Sequence, residues 1–277
     1  MDQAARLRAM MTDGSACGTL ERLAPNPLNA GSVSARVIAV TSGKGGVGKT
    51  TMAVNLALLL AEEAQSVLIV DADLGLANVD VMLGLEPARH IGHLLTSDTS
   101  PEDVAAVGPA GVRVISGGSG LKELAEAAGS ERRLLLNKLR GYYDSFDYVL
   151  VDTSPGIGDD VADFLTDARE VLLITTTEPT SLRDTYAAAK TIYRRAPHLV
   201  VSPVVNMAAT DSQAAEAVSV LNEVAAKFLG LRYERWHRIE PDALVGRAIR
   251  ARCPFVTLYP RSPAAISLRR LARSLIH

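Results

Sequence analysis

The segment that most restricts this chain is RVIAVTSGKGGVGKTT, residues 36–51. A short run rich in β-branched residues, 36–41, leads into Gly43-Lys44-Gly45-Gly46-Val47-Gly48-Lys49-Thr50-Thr51. Counted from Gly43 to Thr50, this is the phosphate-loop spacing G-x-x-x-x-G-K-[ST]. Its glycines let backbone N–H groups turn inward around phosphate oxygens. A helix starting at Thr50 aims the positive end of its dipole at the same anion. Strand, loop and helix in this order form one βα unit, with the crevice at the carboxyl end of a parallel strand. Lys49 is then the point charge on the β/γ-phosphates, and the Thr50 hydroxyl is the expected Mg²⁺ ligand. Gly43, Gly45, Gly46, Val47, Gly48 and Thr51 complete the nucleotide-binding loop.

The rest of the chain repeats this unit. Residues 67–71 (VLIVD), 112–116 (VRVIS), 148–152 (YVLVD), 171–177 (VLLITTT) and 199–206 (LVVSPVVN) are short apolar runs. Helical stretches lie between them, over 50–63, 121–139, 181–195 and 212–228. Near-continuous apolar strands alternating with helices predict an α/β fold with a mostly parallel central sheet covered on both faces. Residues 1–35 differ: a short amphipathic stretch is followed by a Gly-, Pro-, Ser- and Asn-rich tract that reads as a linker. The folded domain is expected over 36–277.

Composition removes several function classes. Lys and Arg number 29 against 31 Asp and Glu, a formal charge of −2, so the chain does not coat nucleic acid through global charge. The two cysteines, Cys17 and Cys253, are far apart, which excludes a Cys-rich zinc module and a disulfide framework. No apolar run approaches the ~20 residues of a bilayer span, and MDQAARLRAMM has no signal-peptide core. A cytoplasmic protein is expected. His90 and His93 stand at i, i+3 without Cys or carboxylate ligands beside them, and a metal site there is disfavoured. The nucleophile elbow G-x-S-x-G is missing.

Carboxylates stand where a nucleotide site needs them. Asp71 and Asp73 follow the second strand, and Asp152 ends YVLVD, so each falls beside the phosphate crevice. Asp152 fits the Walker B position, holding Mg²⁺ through water. Asn206 ends the last apolar strand with no Asp three residues later, against the N-K-x-D of guanine-specific proteins. An Asn there can pair with adenine N6 and N7, so ATP is expected over GTP.

A phosphate loop does not need Lys44. With it, K-G-G-x-G-K-T-T resembles the signature of the MinD/ParA family of deviant Walker A ATPases, over about residues 36–277. The resemblance implies a sandwich homodimer in ATP, with Lys44 reaching the partner's phosphates. It implies that Asp73 orients the attacking water, that Asp71 neighbours the Mg²⁺ shell, and that Gly75, Asn78 and Asp80 lie in switch I. D-T-S-P-G resembles switch II, with Gly156 offering its N–H to the γ-phosphate. It places an adenine-contacting asparagine at Asn206, and a loop over the base at Arg238–Asp242, with Pro241 and Asp242. Cluster-ligating cysteines of the iron–sulfur branches are missing.

DADLGLANVDVMLGL, DTSPGIGD, EPTSLRDTYAAAK and CPFVTLYPRSPAA resemble the branch of this family that regulates flagellar number. By that resemblance DQAARLR, with Asp2, Gln3, Ala4, Leu7 and Arg8, is an element that stimulates the signal-recognition-particle-type GTPase FlhF. Flagellar C-ring proteins and a flagellar transcriptional regulator are the other partners implied, and peripheral attachment to the inner face of the membrane, at the pole, is the implied location. SPAAISLRRLARSLIH, about 262–277, forms a basic amphipathic helix with two places open to it: an anionic membrane surface, or the sheet. Two other readings stay beside this one. A ParA- or MinD-type positioning ATPase for DNA or the division site predicts salt-dependent DNA binding or a membrane cycle, and direct DNA binding is disfavoured by the charge. A metabolic P-loop enzyme needs a pocket of convergent polar groups, which the sequence does not supply.

Overall fold

The computed structural model describes residues 35–73, 77–95, 98–118, 129–156, 158 and 163–277. Eight strands form one sheet: β1 (Arg36–Thr41), β2 (Val67–Ala72), β3 (Ala106–Val107), β4 (Arg113–Ile115), β5 (Tyr148–Thr153), β6 (Glu170–Thr175), β7 (Val200–Val205) and β8 (His237–Arg238). Their order is β3-β4-β2-β5-β1-β6-β7-β8. Every pairing is parallel except the short β3–β4 edge. The mostly parallel α/β sheet read from the sequence is therefore present. The two-residue strands β3 and β8 carry no periodic signal at that length and were not foreseen.

Alternate residues of each central strand enter opposite cores. Val37 and Ala39 join one apolar cluster, Ile38 and Val40 the other, and the same division separates Leu68 and Val70 from Ile69. Period-two strands buried on both faces read as unbroken apolar runs for this reason. The described helices are α1 (Lys49–Glu62), α2 (Val79–Leu83), α3 (Pro101–Val104), α4 (Gly129–Tyr143), α5 (Pro179–Arg195), α6 (Asp211–Leu229), α7 (Ala243–Arg250), α8 (Phe255–Leu258) and α9 (Pro263–Ile276). Helix α4 covers the second half of the stretch expected at 121–139.

Helix α1 is rich in Ala and Leu, without Gly or Pro, and its residues Met52 to Ala61 are all buried. A helix apolar on every side belongs between layers. Helix α9 lies against it. Ala264, Ala265, Leu268, Leu271, Ala272 and Leu275 are buried in the same core as α1. Arg269 pairs with Glu62 at 2.7 Å, and Arg273 with Glu63 at 3.6 Å. At its end the Leu275 carbonyl accepts from Tyr148 Oη at 3.0 Å and from Arg36. Of the two places open to this segment, the structure gives the core. Among the described residues no helix is long and apolar enough to cross a membrane.

Candidate nucleotide site

The loop after β1 lies at the point where successive strands depart to opposite sides: β5 flanks β1 on one side, β6 on the other. This is the crevice position of open α/β sheets. Gly48 precedes α1 with φ +99, and no side chain caps the helix. The first-turn N–H groups of α1 therefore keep their hydrogens for a ligand. At Gly43 a Cβ would stand 2.0 Å from the Asp184 carbonyl oxygen, so the loop rests directly on α5.

Lys49, only 7% exposed, lies at the start of α1. Burial pulls its pKa down, while the charges of Asp152 and Asp73 oppose that pull. Strand register sets Asp71 opposite Asp152 on β2 and β5. Both are buried, and they differ in how their oxygens are used. Asp71 accepts from the N–H groups of Asp73 (3.1 Å), Asn78 (3.0 Å) and Val79 (3.1 Å). It thus organises the loop entering α2 from a position directly beside Asp152. Burial pushes its pKa up to about 7 against those three donors.

Asp152 tests whether Mg²⁺ and phosphate fit. Neither of its buried oxygens has a hydrogen-bond partner. Burial first, then Asp71, pushes its pKa up to about 8, while the neighbouring Thr50 hydroxyl and Lys49 favour the ionised form. A buried carboxylate without donors is costly alone and suited to a cation. Thr50, Lys49, Asp152 and the open N–H groups of α1 form a donor and acceptor set that fits Mg²⁺ with a polyphosphate. Asp73 is half-buried beside them.

Gly156, Asp242 and Asn78 are each held by the surrounding fold. Gly156, at φ +89, donates its N–H to Ser42 O at 2.9 Å, which ties the segment after β5 to the start of the phosphate loop. Asp242 caps α7, accepting from Leu244 N at 2.9 Å and from Ala264 N, at the start of α9, at 3.3 Å. Burial would raise its pKa, but bonds from Ser262, Leu244 and Ala264 hold it low. Its carboxylate therefore shapes the loop between β8 and α7; Pro241 beside it is exposed. Asn78 sits at the N-terminus of α2, joined to the site through Asp71.

Lys44 lies outside the cradle. Its ammonium bonds Glu178 Oε2 at 2.9 Å and Thr180 Oγ1 at 3.2 Å, both at the start of α5. Sequence reasoning missed Glu178, although EPTS was in view. At the base end, Asn206 is buried, and its Nδ2 donates to Val47 O at 2.8 Å. Gly75 and the N-terminal residues Asp2, Gln3, Ala4, Leu7 and Arg8 lie outside the described residues. Among the described residues no group of three or more His, Cys, Asp or Glu is placed to hold a metal, and Cys253 is buried.

Fold and cradle together define a P-loop nucleotide hydrolase. The ParA family, described as NUBPL iron-transfer P-loop NTPase, matches residues 33–276, and the chain belongs to this MinD/ParA group of ATPases, which use ATP with Mg²⁺. Among relatives, the antiactivator FleN of Pseudomonas aeruginosa is 37% identical over 240 residues, 87% of this chain and 86% of FleN. The flagellum site-determining protein YlxH of Helicobacter pylori is 31% identical over 242 residues, 87% of this chain and 82% of YlxH. The cell-division ATPase MinD of Pyrococcus furiosus superposes with a TM-score of 0.74 at 26% identity, covering 87% of this chain and 98% of that one. MinD of Pyrococcus horikoshii, solved with Mg-ADP, superposes with a TM-score of 0.72 at 23% identity, over 87% and 96% of the two chains. The resemblance read from the motifs, down to the flagellar branch, agrees with these relatives.

Proposed function

We propose that this ATPase is a nucleotide-timed switch that sets flagellar number and placement. Its ATP form is a homodimer that engages partners, and slow hydrolysis returns the monomer. The observation that carries this reading is the presence of two lysines with separate duties in one loop. Lys49 is buried within its own cradle, whereas Lys44 is held only by partly exposed side chains at the mouth, free to exchange Glu178 and Thr180 for a partner's phosphates. Likeness to FleN and YlxH over most of each chain supports the flagellar setting.

In this reading Lys49 and the N–H groups of α1 hold the β- and γ-phosphates, while Thr50 and Asp152 hold Mg²⁺. The ion, when bound, neutralises charge developing on the transferred phosphoryl group. Asp73 orients the attacking water, and Asp71 holds the loop from which Asp73 projects. Unassisted P-loop switches turn over at roughly 10⁻⁴ to 10⁻² s⁻¹, a rate suited to a timer. Residues 2–8 stimulate the GTPase FlhF as a detachable element. C-ring proteins and a flagellar transcriptional regulator are further partners, and attachment to the membrane is peripheral.

The test separates the lysines. Lys49→Ala abolishes ATP binding, whereas Lys44→Ala binds ATP but neither dimerises nor hydrolyses it. Light scattering after size exclusion, with and without ATP, reads the dimer, and flagella are counted in cells carrying each variant. A Lys44→Ala protein that dimerises, hydrolyses and restores flagellar number like the wild type ends the proposal.

A further inference from the structure

Helices α5 and α6 leave between them an open groove of about 590 Å³. Its floor is apolar, with Leu182 and Tyr186 from α5 and Val220 and Val224 from α6, and a charge stands on each bank, Arg183 on α5 and Glu216 on α6. The sequence of α6 explains the groove. Ala217, Leu221 and Ala225 recur every four residues and enter the core, and Val220, Val224 and Phe228 form a second apolar row beside them. That second row stays open: Val220 is 44% exposed, and Phe228 is 63% exposed, its ring centroid 6.4 Å from that of Tyr186. A continuous apolar row of this kind on a helix surface marks a place where something binds.

The chain itself carries a segment that matches. In DQAARLRAMM, residues 2–11, which lie outside the described residues, Ala4, Leu7 and Met11 share one helical face, and Arg6 and Arg8 flank Leu7. An apolar stripe bordered by arginines, with Asp2 at its start, suits an apolar floor with an acidic bank at Glu216 and a basic one at Arg183. The path is short enough. Ala35, the first described residue, is buried in the apolar layer that contains α5 and α6, while α1 and α9 fill the opposite one. The 23 residues from 12 to 34 span roughly 24–29 Å as a coil, against about 20 Å for the height of a strand such as β1. A tether of this length gives an effective concentration on the order of 1 mM. We propose that residues 2–11 dock their apolar face in the groove between α5 and α6 of the same chain, which keeps the segment from partners until one of them displaces it. The docking itself needs no partner and does not rest on the stimulation of FlhF proposed above.

The test uses the full chain, without nucleotide or GTPase, and a fluorescein-labelled peptide of residues 1–23 read by anisotropy. The peptide competes with the chain's own segment, which weakens its apparent affinity by one plus the ratio of effective concentration to Kd. For a Kd on the order of 0.1 mM this factor is about tenfold. Leu7→Glu, which undocks the chain's own segment, should therefore bind the peptide about tenfold more tightly than the wild type does. In the Leu7→Glu chain, adding Val220→Glu should weaken the peptide by about tenfold or more, and adding Glu216→Arg by roughly 2- to 5-fold. A peptide carrying Arg6→Glu and Arg8→Glu should recover affinity for the Glu216→Arg chain. Equal peptide affinity for the wild type and Leu7→Glu overturns the proposal, as does binding that Val220→Glu leaves intact. So does a Leu7→Glu chain that light scattering finds to be a dimer and that Val220→Glu returns to monomer, because a second copy is then the occupant. If Val220→Glu fails to fold by circular dichroism, the charge exchange decides: a reversed peptide that binds Glu216→Arg no better than the unreversed one overturns docking in this groove. With no GTPase present, failure here leaves the stimulation of FlhF to its own test.

Discussion

Helix α9 is where a single substitution separates two uses of one amphipathic segment. Leu268 is fully buried, 0% exposed, whereas Ile266, two residues earlier, is 43% exposed. If the helix is part of the core, Leu268→Ala removes three buried carbons from a packed layer and leaves a cavity. Leu→Ala substitutions at such sites cost about 2–5 kcal/mol, and the closely packed neighbours Leu271, Leu275 and α1 leave little room to collapse. A loss of about 3 kcal/mol corresponds to a Tm lowered by roughly 6–12 °C in a domain of this size. Leu268→Glu places a carboxylate with no partner in the same layer and should prevent folding, because total stability is only about 5–15 kcal/mol. Ile266→Glu, on the outer side, should change stability by no more than about 0.5 kcal/mol. Urea titration with thermal unfolding measures all three, and co-sedimentation with anionic liposomes runs beside them. The reasoning is refuted if Leu268→Ala unfolds like the wild type and loses only its liposomes.

Three further outcomes follow from the site. Asp73→Ala should leave ATP affinity nearly unchanged and slow hydrolysis, because the carboxylate acts on the transition state; the ATP dimer should then persist longer in light scattering, and an unchanged rate counts against the role. Asp152, raised to about 8 by burial and Asp71, keeps in the folded chain a proton that the unfolded chain loses near pH 4. Nucleotide-free stability should therefore fall as pH rises from 5 to 8, and Asp152→Asn should reduce that fall without removing it, because Asp71 is raised by burial as well, while abolishing the gain from Mg-ADP; a wild-type melting temperature that rises over this range contradicts the assignment. Deleting residues 2–11 should spare ATP binding and dimerisation yet remove stimulation of FlhF GTPase activity, and a truncated protein that stimulates as well as the full chain rules the element out.

The parts of this protein that could be read from its sequence are those specified by residues close together in the chain. Strands buried on both faces announce themselves as apolar runs, and the phosphate loop is contiguous from Gly43 to Thr51. Asp152 was equally accessible, because a carboxylate that ends a parallel strand arrives at the crevice whatever lies around it. What stayed hidden depends on partners distant in sequence. Glu178 meets Lys44 across 134 positions and Val47 meets Asn206 across 159. Neither pair leaves a local pattern. The restraints at Asp71, Gly156 and Asp242 have one physical origin: the fold satisfies a donor or acceptor of each from the backbone.

Satisfying those groups internally also bears on the proposed switch. With Asp71 holding the loop before α2, Gly156 bonded to Ser42, and Lys44 bonded to α5, the loops after β2 and β5 and the second lysine are anchored to the nucleotide loop or its immediate walls. A bond of this kind is worth about 1 kcal/mol net, small enough for a phosphate or a second subunit to replace. Asp152 differs because its oxygens have no internal substitute, so the nucleotide-free chain carries a cost there that Mg²⁺ relieves. In the proposed cycle Asp152 and Lys49 hold the nucleotide, while Lys44 and Gly156 are restrained by individually weak bonds that can be exchanged. Binding can therefore be firm at the phosphates while the surface offered to a partner is rearranged at little cost.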